Sequence, residues 1–400
     1  MSFSILLFYD CLYPQSVGGV EHRNHELARA LGARGHRVVL AGFGDSPSQP
    51  FPGCEVLPVG PPGRLYNEAG KRSTAEAWRL ARAAMRIDLS GFDVIESANI
   101  PYAHLPVLAW RCRRLRKPLL VTWYEHWGRY WQRYLGWRWP AYALLERLTV
   151  PLGTRAIATS RLTAERVEAR RGEPVRVVPS GIPVSDIRAC AAEAVPGSGP
   201  PLVYAGRLLR EKRIDLLLEA VARLKKPAQG PLLAVFGDGP DRGRLSALSA
   251  SLGLGGAVVF HGALPTNRDV WRRMGASRIA VQPSSREGFG LFPLEAMAAG
   301  LPVVYCESSE SALGELVEPG VHGVCTAPEP DALAAALAAL LSDETEVQRL
   351  GANAKRQGDR FDWPAVAEAT EAVILETLTH RRRAGGSSPL GGGGLEQGGG

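Results

Sequence analysis

The chain has 400 residues, of which 45% are apolar and 22% are charged, and this length is enough for two globular domains. No uncharged apolar run reaches the roughly 20 residues that a membrane span requires, which argues against an integral membrane protein. The six cysteines are scattered without a CxxC pair, which disfavours a disulfide framework or a zinc site.

The net charge of +7 is unevenly distributed along the chain. Residues 1–190 hold 26 Lys and Arg against 16 Asp and Glu, a balance of +10, whereas residues 191–400 hold 21 against 24, a balance of −3. This asymmetry indicates that the first half contacts something anionic. Nucleic acid is disfavoured as that partner because the basic excess lacks any recognised binding module.

The first half alternates short apolar runs with helical periodicity. The opening run SFSILLFYD lacks a basic leader and a small-residue cleavage site, so it predicts a strand at Ser4–Tyr9 rather than a signal peptide. A helix is predicted at Glu21–Leu31, and Gly18 and Gly19 before it let the backbone approach a ligand, although turn geometry alone also explains them. Further strands are expected at His36–Gly42, Phe92–Ser97, Pro118–Trp123, Arg155–Ser160 and Val175–Pro179, with helices at Ala75–Met85, Leu105–Arg114 and Ala141–Leu148. This alternation predicts a Rossmann-like α/β domain over residues 1–190.

A break in the pattern separates the two halves. Ala189–Pro201, ACAAEAVPGSGPP, is rich in glycine, proline and small residues, and we place a linker at residues 191–201. The alternation then restarts, with strands expected at Leu202–Ala205, Leu232–Phe236, Ala257–Phe260 and Ser277–Gln282, and helices at Ile214–Leu224, Arg242–Leu252 and Asn267–Met274. Two such units joined by a linker predict a cleft, with ligands bound at the carboxyl ends of the strands.

The last part of the chain has two further helical patterns and a low-complexity tail. Helices are predicted at Ala332–Leu341 and Ala365–Leu378. We expect the second domain to cover residues 202–364 and the helix at 365–380 to pack back on the first domain. The tail, residues 381–400, cannot bury a core and is predicted to be disordered.

The segment Glu287–Val304, EGFGLFPLEAMAAGLPVV, combines a glycine-bearing loop with a helix start. Gly290 permits a backbone conformation that side chains disfavour, and Pro293 suits the first turn of a helix. Unpaired N–H groups and the positive end of the helix dipole make such a start a binding site for phosphate oxygens. Glu287 and Glu295 add two carboxylates that can bind hydroxyls, although surface glutamates beside a buried helix are also ordinary.

A second glycine-bearing turn, in AGRLLREKRIDLLLEA, follows the first strand of the second half. Its position would direct Arg207 and Lys212, after Gly206, into the cleft. The guanidinium fork and the ammonium point charge together suit a diphosphate. Arg210 and Arg213 are expected to face water.

In this order and spacing, the segments VGGVEHRNHELARALGARGHRV, AGRLLREKRIDLLLEA, VFGDGP and EGFGLFPLEAMAAGLPVV resemble glycosyltransferase family 4. The resemblance runs from about Leu6 to about Leu378, and the combination of GRLxxEK with E-x7-E is its most specific part. It implies a retaining enzyme of the GT-B fold, in which two Rossmann-like α/β domains face each other across a cleft. It also implies a nucleotide-diphosphate sugar as donor and no metal or other cofactor, since the chain has no Asp-x-Asp triplet and its basic residues would take the place of a cation.

The resemblance assigns roles to single residues. Arg207 and Lys212 would bind the donor pyrophosphate next to Gly206, Glu295 would hold the ribose, and Glu287 would contact the hydroxyls of the donor sugar. The family is thought to use front-face attack, in which the leaving phosphate accepts the proton of the acceptor.

The backbone of two loops completes the donor site that the resemblance implies. Phe289, Gly290 and Leu291 would offer N–H groups around the phosphates. Gly18 and Gly19 would bring the loop of the first domain to the diphosphate from across the cleft.

One position departs from the family pattern. Related sequences usually place a histidine that contacts the donor sugar after the strand that corresponds to PLLVTW, but here Tyr124 occupies that position. His126 lies two residues further on, on the same side of an extended segment, and would substitute for it. A structural role for His126 is the alternative.

The acceptor side is marked by an aromatic and basic region. Six of the nine tryptophans fall between Trp110 and Trp139, among many arginines. Such a region can lie at an anionic membrane surface, stack on sugars or cover a wall of the cleft. We favour a lipid-linked or cell-surface glycan acceptor, with the protein cytoplasmic and peripheral on the inner face of the cell membrane.

Two other functions remain open from the sequence. One is a synthase or phosphorylase of the same fold that acts on a soluble sugar or sugar phosphate. The other is a nucleotide-sugar-binding protein without turnover, which only Tyr124 favours.

Overall fold

The computed structural model describes residues 2–15, 18–45, 48–65, 72–224 and 230–385, without the side chains of residues 48, 49 and 380–385. Within these residues the chain forms two α/β domains, each built on a largely parallel sheet flanked by helices. The predicted fold class is therefore confirmed.

The first sheet has eight strands within the described residues, in the order β3-β4-β2-β1-β5-β6-β7-β8. Its pairs are parallel except for the hairpin of β3 and β4. The strands are β1 (Ser4–Phe8), β2 (Arg37–Gly42), β3 (Ser48–Phe51), β4 (Cys54–Pro58), β5 (Val94–Ala98), β6 (Leu119–Trp123), β7 (Arg155–Ala158) and β8 (Arg176–Val177). The strand order reverses direction between β1 and β5, which is where ligands of such sheets bind.

Helices connect these strands and cover both faces of the sheet. They are α1 (Gly19–Ala33), α2 (Thr74–Arg86), α3 (Leu105–Arg114), α4 (Tyr130–Leu135), α5 (Trp139–Thr149), α6 (Arg161–Arg171) and α7 (Val184–Ala192). Successive residues of a strand point to opposite faces, and both faces of β1 are covered: Leu6 and Phe8 belong to one core cluster, and Ile5 and Leu7 belong to another.

The second sheet has six described strands in the order β11-β10-β9-β12-β13-β14. They are β9 (Leu202–Ala205), β10 (Leu233–Phe236), β11 (Val258–Gly262), β12 (Ile279–Gln282), β13 (Val303–Cys306) and β14 (Gly323–Thr326). The helices are α8 (Ile214–Arg223), α9 (Arg242–Ser251), α10 (Asn267–Gly275), α11 (Leu291–Ala299), α12 (Leu313–Leu316), α13 (Pro330–Ser342), α14 (Glu344–Gly358) and α15 (Trp363–Gly385). The order reverses between β9 and β12, so the loops after these two strands flank the expected ligand position.

The chain crosses between the two domains twice. Ile187 and Cys190 of α7 belong to the core of the second domain, so α7 packs there although its last residues lie inside the predicted linker. After α14 the chain returns, and Trp363 and Ile374 of α15 pack into the first domain. The linker is therefore shorter than residues 191–201, because α7 continues to Ala192.

Some elements were not predicted. The last helix runs to Gly385, so the prediction of disorder from Arg381 was wrong for residues 381–385; residues 386–400 lie outside the described part. Residues 381–384 are arginine and alanine, which have high helix propensity, so the helix continues past the last apolar residues that pack against the first domain. The elements that sequence periodicity missed are β3, β4, β13, β14, α4, α6, α7, α12 and α14.

Candidate active site

The loop from β12 into α11 forms one side of the cleft. Gly290 precedes the helix with φ 101° and ψ 68°, a left-handed conformation that favours glycine. Helix α11 then runs from Leu291 to Ala299, so the N–H groups of its first turn point back along this loop. The local geometry is that of an anion-binding helix start.

Lys212 and Glu287 form the central ion pair of the site. The Nζ of Lys212 lies 2.6 Å from Oε2 of Glu287, and Nε2 of Gln282 donates to the same oxygen at 3.1 Å. Burial alone would lower the pKa of Lys212, but the charge and hydrogen bond of Glu287 raise it above its ordinary value. Lys212 is therefore cationic at neutral pH, beside the anion-binding helix start.

Glu295 lies on α11 and is partly buried. Burial raises the pKa of its carboxyl group to about 7, because a low-dielectric environment disfavours the charged form. Glu295 is therefore divided between its two protonation states near neutral pH. A ligand that donates hydrogen bonds to the carboxylate would favour the ionised state.

The loop before α1 faces α11 from the other domain. A Cβ atom built on Gly19 would lie 3.5 Å from Cδ1 of Leu291, and one built on Gly18 would lie 2.7 Å from Oε1 of Glu21. Gly19 of the first domain thus lies next to the first residue of α11 in the second domain, whereas the approach of Gly18 and Gly19 to a donor diphosphate stays a prediction.

The turn after β9 carries the other predicted donor residues. Gly206 has φ 153°, and a Cβ atom on Gly237 of the neighbouring strand end would collide with its carbonyl oxygen. Arg207 is exposed, and its carbonyl oxygen accepts a hydrogen bond of 3.3 Å from Oη of Tyr204. The ring centroid of Phe289 lies 5.9 Å from that of Phe361, so its side chain packs against the end of the second domain.

His126 lies in a buried polar cluster of the first domain. It is 4% exposed, and its Nε2 lies 3.2 Å from Nη1 of Arg170 and 3.7 Å from Oε2 of Glu146. Burial lowers its pKa. These partners are not donor-site residues, which favours the structural interpretation of His126 over a contact with the donor sugar.

Tyr124, which directly follows β6, does not share the partners of His126. Nη1 of Arg23, an arginine that is 1% exposed, lies 3.4 Å from Oη of Tyr124 and 3.1 Å from Oε1 of Glu96. Burial raises the pKa of Tyr124 to about 12, so its hydroxyl stays protonated.

Two residues that pair beside the candidate site were missed by sequence reasoning. Nε and Nη2 of Arg286 lie 3.0 and 2.7 Å from Oε2 of Glu125 in the other domain. Arg286 directly precedes Glu287, and Glu125 directly follows Tyr124, which is the only sequence signal for either. The two residues are 161 positions apart, so no local sequence pattern predicts their contact.

Further contacts join the domains along the cleft. Glu315 of α12 accepts hydrogen bonds of 2.6 Å from the backbone nitrogens of Arg161 and Leu162 at the start of α6. Arg166 pairs with Glu310 at 3.0 Å. The first and second domains are therefore in direct contact beside the candidate site.

The aromatic region of the first domain is divided between core and surface. Trp123 and Trp131 are 0% and 6% exposed, whereas Trp110 and Trp137 are 48% and 88% exposed. Only part of residues 110–139 is therefore accessible to a partner. Beyond this region, Leu144 and Leu148 of α5 are also exposed.

Within the described ranges, no group of three or more His, Cys, Asp or Glu side chains is arranged to hold a metal ion. Over the same residues, no helix has both the length and the apolar character to cross a membrane.

Comparison with known proteins relates the chain to sugar-transferring enzymes. Residues 191–357 match the family described as Glycosyl transferases group 1, and residues 17–186 match Glycosyltransferase Family 4. A glycogen synthase of Mycobacterium tuberculosis is 29% identical over 396 residues, covering 92% of this chain and 94% of that protein. A D-inositol 3-phosphate glycosyltransferase of Thermobispora bispora is 32% identical over 265 residues, covering 61% of each chain.

Solved structures share the architecture. Sucrose-phosphate synthase from Thermosynechococcus elongatus has a TM-score of 0.76 at 22% identity, covering 94% of this chain and 100% of that one. Anabaena Alr3699/HepE in complex with UDP and glucose has a TM-score of 0.69 at 21% identity, with the same coverage. These likenesses show the fold.

Proposed function

The chain belongs to glycosyltransferase family 4, and from that membership we propose that it transfers a sugar from a nucleotide-diphosphate sugar to a hydroxyl of a lipid-linked or cell-surface glycan. It is a retaining, nucleotide-sugar-dependent glycosyltransferase.

The observation that carries the proposal is the ion pair of Lys212 and Glu287 beside the start of α11, with Gly19 opposite. The donor diphosphate lies at the helix start, where the first N–H groups of α11 and the cations Arg207 and Lys212 bind it. Glu287 accepts hydrogen bonds from hydroxyls of the donor sugar while Lys212 balances its charge. Glu295 accepts hydrogen bonds from the ribose.

The chemical step is supported by this distribution of charge. The bond between the anomeric carbon and the phosphate oxygen breaks, and its electron pair stays on the nucleoside diphosphate. The acceptor oxygen bonds to the anomeric carbon on the same face and passes its proton to the leaving phosphate. Arg207 and Lys212 stabilise the growing negative charge more in the transition state than in the ground state, which is the requirement for catalysis.

The proposed acceptor rests on the surface of the first domain. Trp137 is 88% exposed, Leu144 is 56% exposed and Leu148 is 60% exposed. These residues lie along one side of α5 and the turn before it, and an exposed apolar stripe of this kind marks an interaction site. The exposed arginines around it are Arg129, Arg133, Arg138 and Arg147. This chemistry suits an anionic lipid surface, from which a lipid-linked acceptor would reach the cleft.

A soluble acceptor is the competing proposal, and the names of two relatives favour it. One relative is a glycogen synthase and another is a D-inositol 3-phosphate glycosyltransferase. Transfer assays with a glucan, an inositol phosphate and a lipid-linked glycan in parallel would separate the two proposals.

Thermal denaturation with a panel of UDP-, GDP- and ADP-sugars tests the donor site. A ligand that binds the native state raises its apparent stability, so one nucleotide class should raise the Tm. Product analysis by NMR should then show that the anomeric configuration of the donor is retained. A panel that leaves the Tm unchanged and yields no transfer product would contradict the proposed site.

A further inference from the structure

We propose that Arg286 is a positioning residue that links the donor-binding loop to the first domain and thereby holds the cleft closed over the donor. This inference rests on the proposed function for its effect on the donor. Its effect on domain closure is independent of that function.

The guanidinium group of Arg286 is enclosed by side chains of the other domain. Nε and Nη2 contact Oε2 of Glu125 at 3.0 and 2.7 Å, and the guanidinium carbon lies 4.0 Å from the ring centroid of Tyr130 and 5.1 Å from that of Trp127. Arg286 is only 7% exposed. Its Nη1 is buried and has no hydrogen-bond partner among the described residues. The two aromatic faces therefore replace part of the water that this cation loses.

The contact lies directly against the donor residues. A Cβ atom on Gly288 would collide with Cγ of Glu125 and would lie 2.6 Å from the carbonyl oxygen of Tyr124. The charge of Glu125 also contributes to the raised pKa of Lys212. Arg286, Glu287 and Gly288 are consecutive, so the position of the guanidinium group in the first domain determines where Glu287 lies.

This arrangement exists only while the domains are together. Opening the cleft would separate Arg286 from Glu125, Trp127 and Tyr130 and would expose the cation again. The closed state is thus stabilised by Arg286, and a donor that binds between the domains binds more tightly when the closed state is more populated.

A second ion pair across the cleft offers a matched comparison. Arg166 and Glu310 also join the domains, but their side chains are 26% and 48% exposed. Exposed ion pairs contribute little to the stability of the closed state, because water and salt screen their charges. Arg286 differs in its burial and in its aromatic contacts.

The test compares Arg286→Lys and Glu125→Gln, singly and together, with Arg166→Lys as the control. Lysine keeps the charge of Arg286 but loses the planar group that both pairs with the carboxylate and stacks on the rings. We expect each single variant to raise the donor KM about tenfold, with the double variant no worse than the worse single variant, because the two residues act as one unit. Arg166→Lys should stay within about twofold of the wild type.

Small-angle X-ray scattering on the same full-length proteins measures closure without activity. Arg286→Lys and Glu125→Gln should each have a larger radius of gyration than the wild type and Arg166→Lys. If either variant fails to fold, the other carries the test. Folded variants with the wild-type radius and wild-type KM would overturn the inference. A wild type that binds no nucleotide sugar would overturn the proposed function instead, and the scattering comparison would still decide the role of Arg286.

Discussion

At the scale of single residues, Lys212 is the side chain on which the proposed transfer step depends most. We expect Lys212→Met to lower kcat about a hundredfold, since loss of one preorganised contact to a developing charge costs about 3 kcal/mol of transition-state stabilisation. Steady-state kinetics with saturating donor measure this loss.

Arg210 provides the matched control for that prediction. It lies in the same short helical turn, Arg210–Lys212, but its side chain is 73% exposed and 3.4 Å from Asp241. Arg210→Met should therefore keep nearly wild-type kcat. An equal loss of kcat in the two variants would show that kcat depends on the total positive charge of this turn and not on the position of Lys212.

Glu295 should make both stability and donor binding depend on pH. Its carboxyl pKa is about 7 in the folded protein against an ordinary value of 4.5, so the folded state binds more protons than the unfolded state between these two values. The free energy of unfolding contributed by this group therefore falls as pH rises from about 4.5 to 7. Glu295→Gln should be more stable than the wild type at pH 8, by about 1–3 kcal/mol, and chemical denaturation at pH 5 and pH 8 measures the difference.

The same variant should bind the donor less well. In the proposed site, ribose hydroxyls donate hydrogen bonds to the ionised carboxylate of Glu295, so wild-type donor affinity should rise between pH 6 and pH 8, and Glu295→Gln should lose that rise. A variant that is more stable and also binds the donor normally would remove Glu295 from the ribose site.

Residue positions were predictable from the sequence where the determinants are local. Gly290 and Glu295 lie within one loop and helix, and Lys212 lies in the segment between β9 and α8, so the local pattern places them, whereas their roles stay predictions from the family resemblance. Arg286 and Glu125 are paired only by the approach of two domains, and Glu315 contacts α6 from 154 positions away. No periodicity or motif within either segment encodes such a contact.

At the scale of elements, the loop into α11 is constrained by its neighbour in the other domain. Gly288→Ala would place a methyl group 2.6 Å from the carbonyl oxygen of Tyr124, and backbone atoms there cannot move away cheaply. We expect Gly288→Ala to keep both domains folded but to weaken donor binding about tenfold or more, because the cleft cannot close fully. Isothermal titration with the donor measures this change.

Gly243 in α9 serves as the control substitution. A Cβ atom there meets nothing within 4 Å, and Gly243 lies in the first turn of α9, where alanine restricts the unfolded chain more than glycine does. Gly243→Ala should therefore raise stability slightly and leave donor affinity unchanged. If Gly288→Ala also left the donor affinity unchanged, the loop into α11 would not limit closure of the cleft.

Helices and strands could be predicted from the sequence where they are buried, because buried elements consist mainly of apolar residues. Strands such as β1 and β9 are covered on both faces, so they appear as continuous apolar runs. Strand β4 is only partly buried, and α6 buries just Thr163, Ala164 and Val167 on one side. Such elements have weak periodicity, and tertiary contacts decide their conformation.

At the scale of the whole molecule, charge and exposed apolar surface lie in the same domain. The first 190 residues carry a balance of +10 and the rest carry −3. Glu146 is the single acidic residue between Glu125 and Glu165, and it is 1% exposed. Between Glu125 and Glu165 the chain therefore presents exposed arginines and apolar side chains but no exposed carboxylate, a charge distribution that would orient the first domain toward an anionic membrane.

Vesicle binding tests this orientation. We expect the wild type to sediment with vesicles that contain anionic lipid at low salt, and to be released as salt screens the arginines. Trp137→Ser combined with Leu148→Ser should reduce the bound fraction severalfold, because burial of each large apolar side chain contributes about 1.5–3 kcal/mol. Val195→Ser is the control, since Val195 is 70% exposed but lies after α7, outside this surface.

Donor turnover on a soluble acceptor does not require the membrane, so the double variant should keep the wild-type rate in that assay. Equal vesicle binding by the wild type and the double variant would exclude α5 as the membrane contact and would favour the soluble acceptor.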